Sequence, residues 1–410
     1  MKKLITIIIL FLSGISVVQA QTLDSYLEMA AKNNPGLQSK YKEFEAALQK
    51  VPQVSTMPDP TFSFGYFISP VETRVGPQRA KFSLTQMFPW FGTLKAQGDA
   101  VALMAEARYQ AFLDARNQLF YQVAAAYYPL YELKRWKQIE QENINILESY
   151  KTIANSKFKN GDAPMVDVLR VDIMLKDAIT NLNILNKKEK PLLATFNKLL
   201  NRSENDAVAI DESLTIESLP DNFRKDSLFA ANPMLDALDL KIKASEASEM
   251  AAQKQGLPKL GVGLDYVLVG ERTDMDLADN GKNVLMPMVS VSIPIFRKKY
   301  DAAEKEAQLM RDSYVLQKNE MENSLSANYE MTWFQIEQQK QLLELYEQQI
   351  QTSQQSLNLL FTSYGNSGKE FEEVLRMQQQ LLKYEKMKAT AETQYQTALA
   401  KLNYITAKKY

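Results

Sequence analysis

The sequence predicts a mainly helical protein with a small β component, and three observations carry this prediction. Residues 94–158 contain a single glycine and a single proline and are rich in residues that favour a helix. A helix of about 65 residues is on the order of 100 Å long, far longer than a compact domain requires. Residues 300–364 form a second such stretch, and four short segments alternate between apolar and small or polar side chains. We therefore expect long helical hairpins combined with short strands.

The two long stretches belong to a repeat with a period of about 200 residues, too long for a solenoid unit. Residues 158–170 align with 364–376 at an offset of 206, and Asn34-Pro35 aligns with Asn232-Pro233 at an offset of 198. The repeat predicts an internal duplication. Each half is expected to contain a helix, a β-hairpin, a long helix and a shorter helix.

The chain is expected to be exported. Residues 1–20 have the pattern of a signal peptide, with two lysines, an apolar run and Val18-Gln19-Ala20 as a cleavage site. The remainder is expected to divide into the structural repeats 21–220 and 221–410. The sequence contains no cysteine, so we expect neither disulfides nor the lipid anchor of a lipoprotein.

Composition argues against nucleic-acid binding and catalysis. Lysine and arginine number 48 and the acidic residues 49, so the basic footprint of a nucleic-acid binder is missing. The absence of histidine removes the commonest general base and metal ligand. The 17 methionines are scattered, apart from Met286-Pro287-Met288, and methionine commonly fills cores. We expect no enzyme, no cofactor and no metal site.

Four segments of about ten residues alternate large apolar side chains with small or polar ones, as transmembrane β-barrel strands do. Their apolar residues are Phe62, Phe64, Tyr66 and Ile68; Phe82, Leu84 and Phe88; Leu260, Val262, Leu264, Tyr266 and Leu268; Val289, Val291, Ile293 and Ile295. An ordinary half-buried antiparallel sheet has the same pattern. Four strands cannot close a barrel, and lipid does not tolerate an open sheet edge. A barrel would therefore need strands from several copies of the chain.

The second long stretch carries a coiled-coil seam at seven-residue steps: Ile336, Leu343, Ile350, Leu357 and Tyr364. Residues 21–50 are expected to form one helix, and 165–200 and 370–407 to form shorter helices beside the long ones. Pro129 is expected to bend the first long helix locally.

At this point the chain resembles the TolC-type outer-membrane efflux ducts over almost its whole mature length. The resemblance is carried by Asn34-Pro35 and Asn232-Pro233, by Gln86-Met-Phe88-Pro89-Trp90-Phe91-Gly92, by Val289-Ser-Val-Ser-Ile-Pro294-Ile-Phe296, and by Val168-Leu169 and Val374-Leu375. It implies a homotrimer whose twelve strands form one outer-membrane barrel in lipid, continued by a periplasmic α-barrel. It also implies a periplasmic adaptor and an inner-membrane pump as partners, with the duct as a passive exit. The segment 88–92 is most similar to the branch paired with heavy-metal cation pumps of the resistance-nodulation-division (RND) class.

The resemblance also implies where functional residues lie. By position, Asp167 and Glu373 would line a periplasmic aperture, and Arg170 and Arg376 could pair with these acids across neighbouring helices. Acids in a first helical turn also stabilise the helix dipole anywhere, and exposed arginines are often only solvated. Expected adaptor contacts at the hairpin tips are Asn160, Gly161, Asp162, Gly365, Asn366 and Gly368. Phe82, Phe88, Trp90 and Phe91 are expected at the membrane interface, or between helices and barrel.

Two other classes of protein remain open at this stage. A non-porous exported coiled-coil scaffold of the periplasm would have similar helices, but it would not need two amphipathic strands in each half. A peripheral adaptor also has helical hairpins, but the duplication argues against it.

Overall fold

A computed structural model describes residues 23–216, 219–221, 223–225, 228–367 and 371–408. The predicted signal peptide and Gly368 lie outside these residues. The described part is mainly helical, with four strands, which confirms the predicted fold class. Its elements are α1 (Leu23–Asn33), α2 (Pro35–Leu48), α3 (Lys50–Ser55), β1 (Thr61–Val71), β2 (Gln78–Phe88), α4 (Thr93–Lys159), α5 (Met165–Leu199), α6 (Pro233–Gln255), β3 (Lys259–Val269), β4 (Val284–Ser292), α7 (Lys298–Ser367) and α8 (Phe371–Ile405).

Residues 21–50 do not form the single helix that was predicted. The helix breaks at Asn34, because a residue before proline is disfavoured in the helical region and Pro35 suits a first helical position. The Asn34 side chain then caps α2, with its Oδ1 accepting a hydrogen bond from the Leu37 amide at 3.1 Å. Pro52 lies in the first turn of α3, where a missing amide hydrogen costs nothing.

The two long helices extend as far as the sequence indicated. α4 has 67 residues and continues past Pro129, and α7 has 70 residues, three more than expected at its carboxyl end. Each helix is about 100 Å long at 1.5 Å per residue. Among the described residues no helix combines the length and apolarity that a membrane span requires.

The four strands form one antiparallel sheet in the order β1-β2-β3-β4, so β1 and β4 are its edges. β4 begins at Val284 and ends at Ser292, before the predicted Ile293 and Ile295. Pro294 has no amide hydrogen for a ladder, which explains the early end. Pro287 lies inside β4, where an edge strand tolerates it.

The chain divides into two compact units, and each takes segments from both predicted repeats. The first unit comprises the described residues of 1–39, 113–232 and 323–410, and the second comprises 40–112 and 233–322. The sheet lies in the second unit. The order of helix, hairpin, long helix and shorter helix nevertheless occurs twice along the chain.

A hydrophobic cluster in the first unit packs α4, α5, α7 and α8 together. Its members are Ile144, Leu147, Tyr150, Ala154, Val168, Val171, Leu175, Ala178, Leu357, Tyr364, Phe371, Val374, Leu375 and Leu381. The predicted seam contributes Leu357 and Tyr364 to this cluster, and Ile350 packs against it. The cluster extends close to the carboxyl ends of α4 and α7, so it fixes the positions of these two helix ends.

Candidate functional site

The turn after α4 is a tight helix end. Gly161 has φ +82°, its amide donates to the Phe158 carbonyl at 3.0 Å, and the Asp162 amide donates to the Lys157 carbonyl at 2.9 Å. These two bonds form a Schellman motif, which requires the left-handed conformation that glycine adopts without strain. Asn160, Gly161 and Asp162 are all exposed, as expected for a hairpin tip.

The second predicted tip differs from the expectation, because α7 continues to Ser367 and therefore includes Gly365 and Asn366. Lys157 links this helix end to α4. Its Nζ donates to the Gly365 carbonyl at 3.1 Å and lies 5.2 Å from the centre of the Tyr364 ring. A lysine that satisfies a carbonyl at a helix end is favourable because those carbonyls otherwise lack partners.

These two glycines should respond oppositely to alanine. We expect Gly161→Ala to destabilise the first tip by about 1–2 kcal/mol, the cost of a left-handed L-residue. Gly365→Ala should instead stabilise the end of α7 by about 0.5–1 kcal/mol, since a helical glycine is costly and an added Cβ meets nothing within 4 Å. Hydrogen exchange of the amides of each tip measures both effects, and faster exchange in Gly365→Ala would contradict the second expectation.

Asp167 lies in the first turn of α5 and is buried, with a 5% exposed residue surface. Its Oδ1 is 3.7 Å from Arg170 Nη1. Burial raises the pKa of the Asp167 carboxyl; Arg170 opposes this shift, and the Glu372 carboxylate adds to it. Tyr364 is fully buried nearby, and its pKa is raised by burial and by the charge of Asp167. Within the described part of the chain, the Tyr364 hydroxyl has no hydrogen-bond partner.

Arg170 bridges two helices, but its partner is not Glu373, the acid on the neighbouring helix that the internal repeat indicated. Its Nη2 lies 2.8 Å from Glu372 Oε2 on α8, whereas Arg376 pairs with Glu373 on its own helix. The sequence reasoning therefore missed Glu372. Adjacent residues on a helix point about 100° apart, so only the packing of α5 against α8 decides which acid faces Arg170. The presence of two adjacent acids, Glu372 and Glu373, was the sequence feature that could have indicated Glu372 as a candidate partner.

The raised pKa of Asp167 predicts how the stability of the folded protein changes with pH. The folded protein holds this proton more tightly than the unfolded chain, so the contribution favours folding at low pH and is lost as the pH rises through the folded pKa. We expect Asp167→Asn to raise the melting temperature at pH 7 and to reduce the difference between the melting temperatures at pH 7 and at pH 4, close to the ordinary pKa of an aspartate. Asp162→Asn, an equal charge change on the exposed tip, is the control. An unchanged pH dependence in Asp167→Asn would contradict the prediction.

One face of the sheet, called the apolar face here, is exposed in the single chain. Aligned across the strands, it includes Phe62, Phe64, Tyr66, Leu84, Val262, Leu264, Tyr266, Leu285, Val289 and Val291, which are 40–80% exposed. The opposite face, called the polar face here, includes Ser63, Gly65, Lys81, Ser83, Thr85, Gly261, Gly263, Asp265 and Ser290. In a soluble β-sandwich the apolar face of each sheet is covered by the other sheet, whereas here the apolar face is exposed.

The four aromatic residues predicted at the membrane interface lie at different positions along β2 and the segment that follows it. Phe82 is in the middle of the apolar face, with its ring centre 5.1 Å from that of Phe64. Phe88 ends β2 and is half-buried, and Trp90 and Phe91 follow it as an edge-to-face pair 6.2 Å apart. Phe91 is 79% exposed. Only these last three lie at the junction of strand and helix that was predicted.

Sequence comparison identifies relatives for this chain. The family model described as outer membrane efflux protein matches residues 226–408. Outer membrane efflux protein BepC of Brucella suis biovar 1 (strain 1330) is 23% identical over 303 residues, which cover 72% of this chain and 66% of BepC. The match therefore spans slightly less than two thirds of that relative. The matched family consists of efflux proteins and not of enzymes.

Solved structures share the fold over nearly the whole chain. The outer membrane protein VceC from Vibrio cholerae superposes with a TM-score of 0.75 at 15% identity, covering 94% of this chain and 95% of VceC. CusC, whose structures are described in terms of transmembrane channel formation, gives a TM-score of 0.77 at 14% identity, covering 94% of this chain and 91% of CusC.

The solved structures that share this fold over nearly the whole chain are an outer membrane protein and a protein described as forming a transmembrane channel. The resemblance to the TolC-type outer-membrane efflux family is confirmed: residues 226–408 match the family model, and the whole fold is that of its solved channels.

Proposed function

We propose that this protein is the outer-membrane exit duct of a tripartite efflux system, which conducts substrates passively from the periplasm to the exterior. The single observation that carries this proposal is the exposed apolar face of the sheet. Burial of apolar surface contributes about 25 cal/mol per Å², so a folded chain does not leave ten large side chains in water. Lipid is the environment that removes this cost.

We propose further that the duct is a homotrimer. β1 and β4 leave their outer edges unpaired within one chain, and an open edge is not tolerated in lipid. Three copies would supply twelve strands, enough to close a barrel, whereas one copy is below the minimum of about eight. In that arrangement the apolar face meets lipid and the polar face lines the lumen.

The internal duplication is also a proposal, and two equivalent hydrogen bonds support it. Asn34 Nδ2 donates to the Leu199 carbonyl at the end of α5 at 2.9 Å. Asn232 Nδ2 donates to the Ile405 carbonyl at the end of α8 at 3.4 Å. In both halves the asparagine before a proline thus closes the last turn of the returning helix. Such a contact explains why the Asn-Pro pair occurs twice.

We place the periplasmic aperture at the helix starts of α5 and α8. Glu372 and Glu373 would repeat around the threefold axis as acidic rings, which favour cations over anions, with the buried Asp167 behind them. Arg170 would hold the two helices together through Glu372 and keep the resting aperture narrow. The exposed tip 160–162 and the end of α7 would contact a periplasmic adaptor. The motif at 88–92 supports an RND pump as the inner-membrane partner, of the branch that is paired with heavy-metal cations.

The test is fractionation followed by planar-bilayer recording. We expect the mature protein in the outer-membrane fraction, as a trimer that migrates intact without boiling, and discrete conductance steps after reconstitution. A water-soluble, heat-insensitive monomer or dimer would overturn the proposal. That outcome would instead indicate the non-porous periplasmic scaffold that the long coiled coils would also permit.

A further inference from the structure

The polar face of the sheet carries one charged pair in its middle. Lys81 of β2 and Asp265 of β3 form an ion pair across the two strands. The Asp265 side chain is 0% exposed, whereas that of Lys81 is 39% exposed. The pair therefore presents its ammonium group, and not its carboxylate, to the space in front of the polar face.

The residues directly opposite the pair on the neighbouring strands carry no charge. Ser83 and Met286 lie opposite Asp265. Gly65 and Val267 lie opposite Lys81, so none of these four neighbours brings a charge. An added Cβ at Gly65 would meet nothing within 4 Å, which shows that the space beside Lys81 is open. With 39% of its side chain exposed, Lys81 has access to this open space.

Apart from Asp265, all charged residues within the four strands are basic. Asp265 is the one acidic residue within the four strands, whose basic residues are Arg79, Lys81 and Lys259. Lys259 begins β3 and is opposite Ser292, six residues before Asp265 and therefore on the same face. With the only carboxylate covered, the polar face presents positive charge.

We infer that Lys81, held in place by Asp265, sets the charge preference of the strand-built part of the duct and favours anionic solutes or anionic groups there. This inference rests on the proposed function, because it requires the polar face to line a lumen. A threefold assembly then places three ammonium groups at one height, and rings of lysine select for anions. Walls of one sign also concentrate the opposite ion.

Asp265 acts as a positioning residue. A fully covered carboxylate needs its partner, because an unpaired buried charge is strongly unfavourable. The pairing therefore orders the lysine side chain and neutralises part of its charge. Removal of the carboxylate should release a more positive and more mobile lysine, while removal of the lysine should leave the face without its central cation.

The experiment measures reversal potentials of reconstituted channels in a potassium chloride gradient. The variants are Asp265→Asn, Lys81→Gln and the double variant, which keeps the shape of the pair without its charges. We expect the anion-to-cation permeability ratio to rise in Asp265→Asn and to fall in Lys81→Gln and in the double variant, by roughly two-fold or more. Lys282→Gln, at an exposed lysine in the β3–β4 loop that pairs with Asp279, removes the same charge away from the polar face and should change nothing.

The outcomes separate the inference from the proposed function. Conducting channels whose reversal potential is the same in all three variants would overturn the inference and leave the duct intact. The same shift in Lys282→Gln as in Lys81→Gln would also overturn it, since the effect would then be one of net charge. Wild-type protein that forms no channel would overturn the proposed function, and the inference with it.

Discussion

Arginine at Val289 is expected to prevent stable assembly in the outer membrane. Val289 is 80% exposed on β4, directly opposite Val262 on the apolar face. An arginine on the lipid face of a barrel costs about 2–4 kcal/mol at the bilayer midplane, and a trimer would carry three. We expect the heat-modifiable trimer to disappear from the outer-membrane fraction and the bilayer conductance to vanish with it.

Ser290→Arg is the matched control. Ser290 is the next residue of the same strand, it is also exposed in the single chain, and it lies on the polar face opposite Gly261. A lumen-facing arginine should be tolerated and should change only ion selectivity. If the apolar face met water, both substitutions would be surface changes within about 0.5 kcal/mol. Equal amounts of trimer in the two variants would therefore contradict a lipid-facing sheet.

Loss of Arg170 is expected to open the resting aperture. Arg170 adds an ion pair between α5 and α8 near the tip, with its Nη2 2.8 Å from Glu372 Oε2. An exposed ion pair contributes about 0.2–1 kcal/mol, so three equivalent pairs contribute roughly 0.6–3 kcal/mol to the closed state. Their removal in Arg170→Ala should raise the open population, and with it the resting conductance, by roughly 3- to 150-fold.

Arg376→Ala provides the control for this prediction. Arg376 pairs with Glu373 on the same helix, so its loss removes an equal charge without releasing one helix from another. We expect little change in resting conductance. Glu372→Gln should reproduce the effect of Arg170→Ala, and the two changes combined should not add, because both break the same contact. An increase with Arg376→Ala equal to that with Arg170→Ala would argue for a general charge effect.

The hairpin tip after α4 and two helix boundaries could be predicted from the sequence because local rules govern them. Gly161 is the residue that a Schellman motif requires, and Asn34-Pro35 and Asn232-Pro233 mark helix boundaries by their own chemistry. The error at 21–50 arose because apolar spacing continued across Asn34. The proline rule, which acts on one residue, overrode a pattern spread over thirty.

The partners of charged residues could not be predicted in the same way. Position in the repeat placed Glu373 beside Asp167, whereas Arg170 contacts Glu372. Lys81 and Asp265 are 184 residues apart in the chain, and neither belongs to a recognisable motif. Their pairing depends on the register of β2 with β3, which joins strands from different halves. Side chains that meet across elements are brought together by packing, which single-chain periodicity does not encode.

The sequence by itself determined the elements: two helices of 67 and 70 residues, four alternating strands and the order in which they recur. It could do so because helix and strand periods are local properties of the chain. Only the tertiary structure decided that strands of the two halves join in one sheet, that Asp265 is covered while Lys81 is not, and which acid Arg170 contacts. These outcomes depend on the mutual orientation of elements, which distant contacts fix.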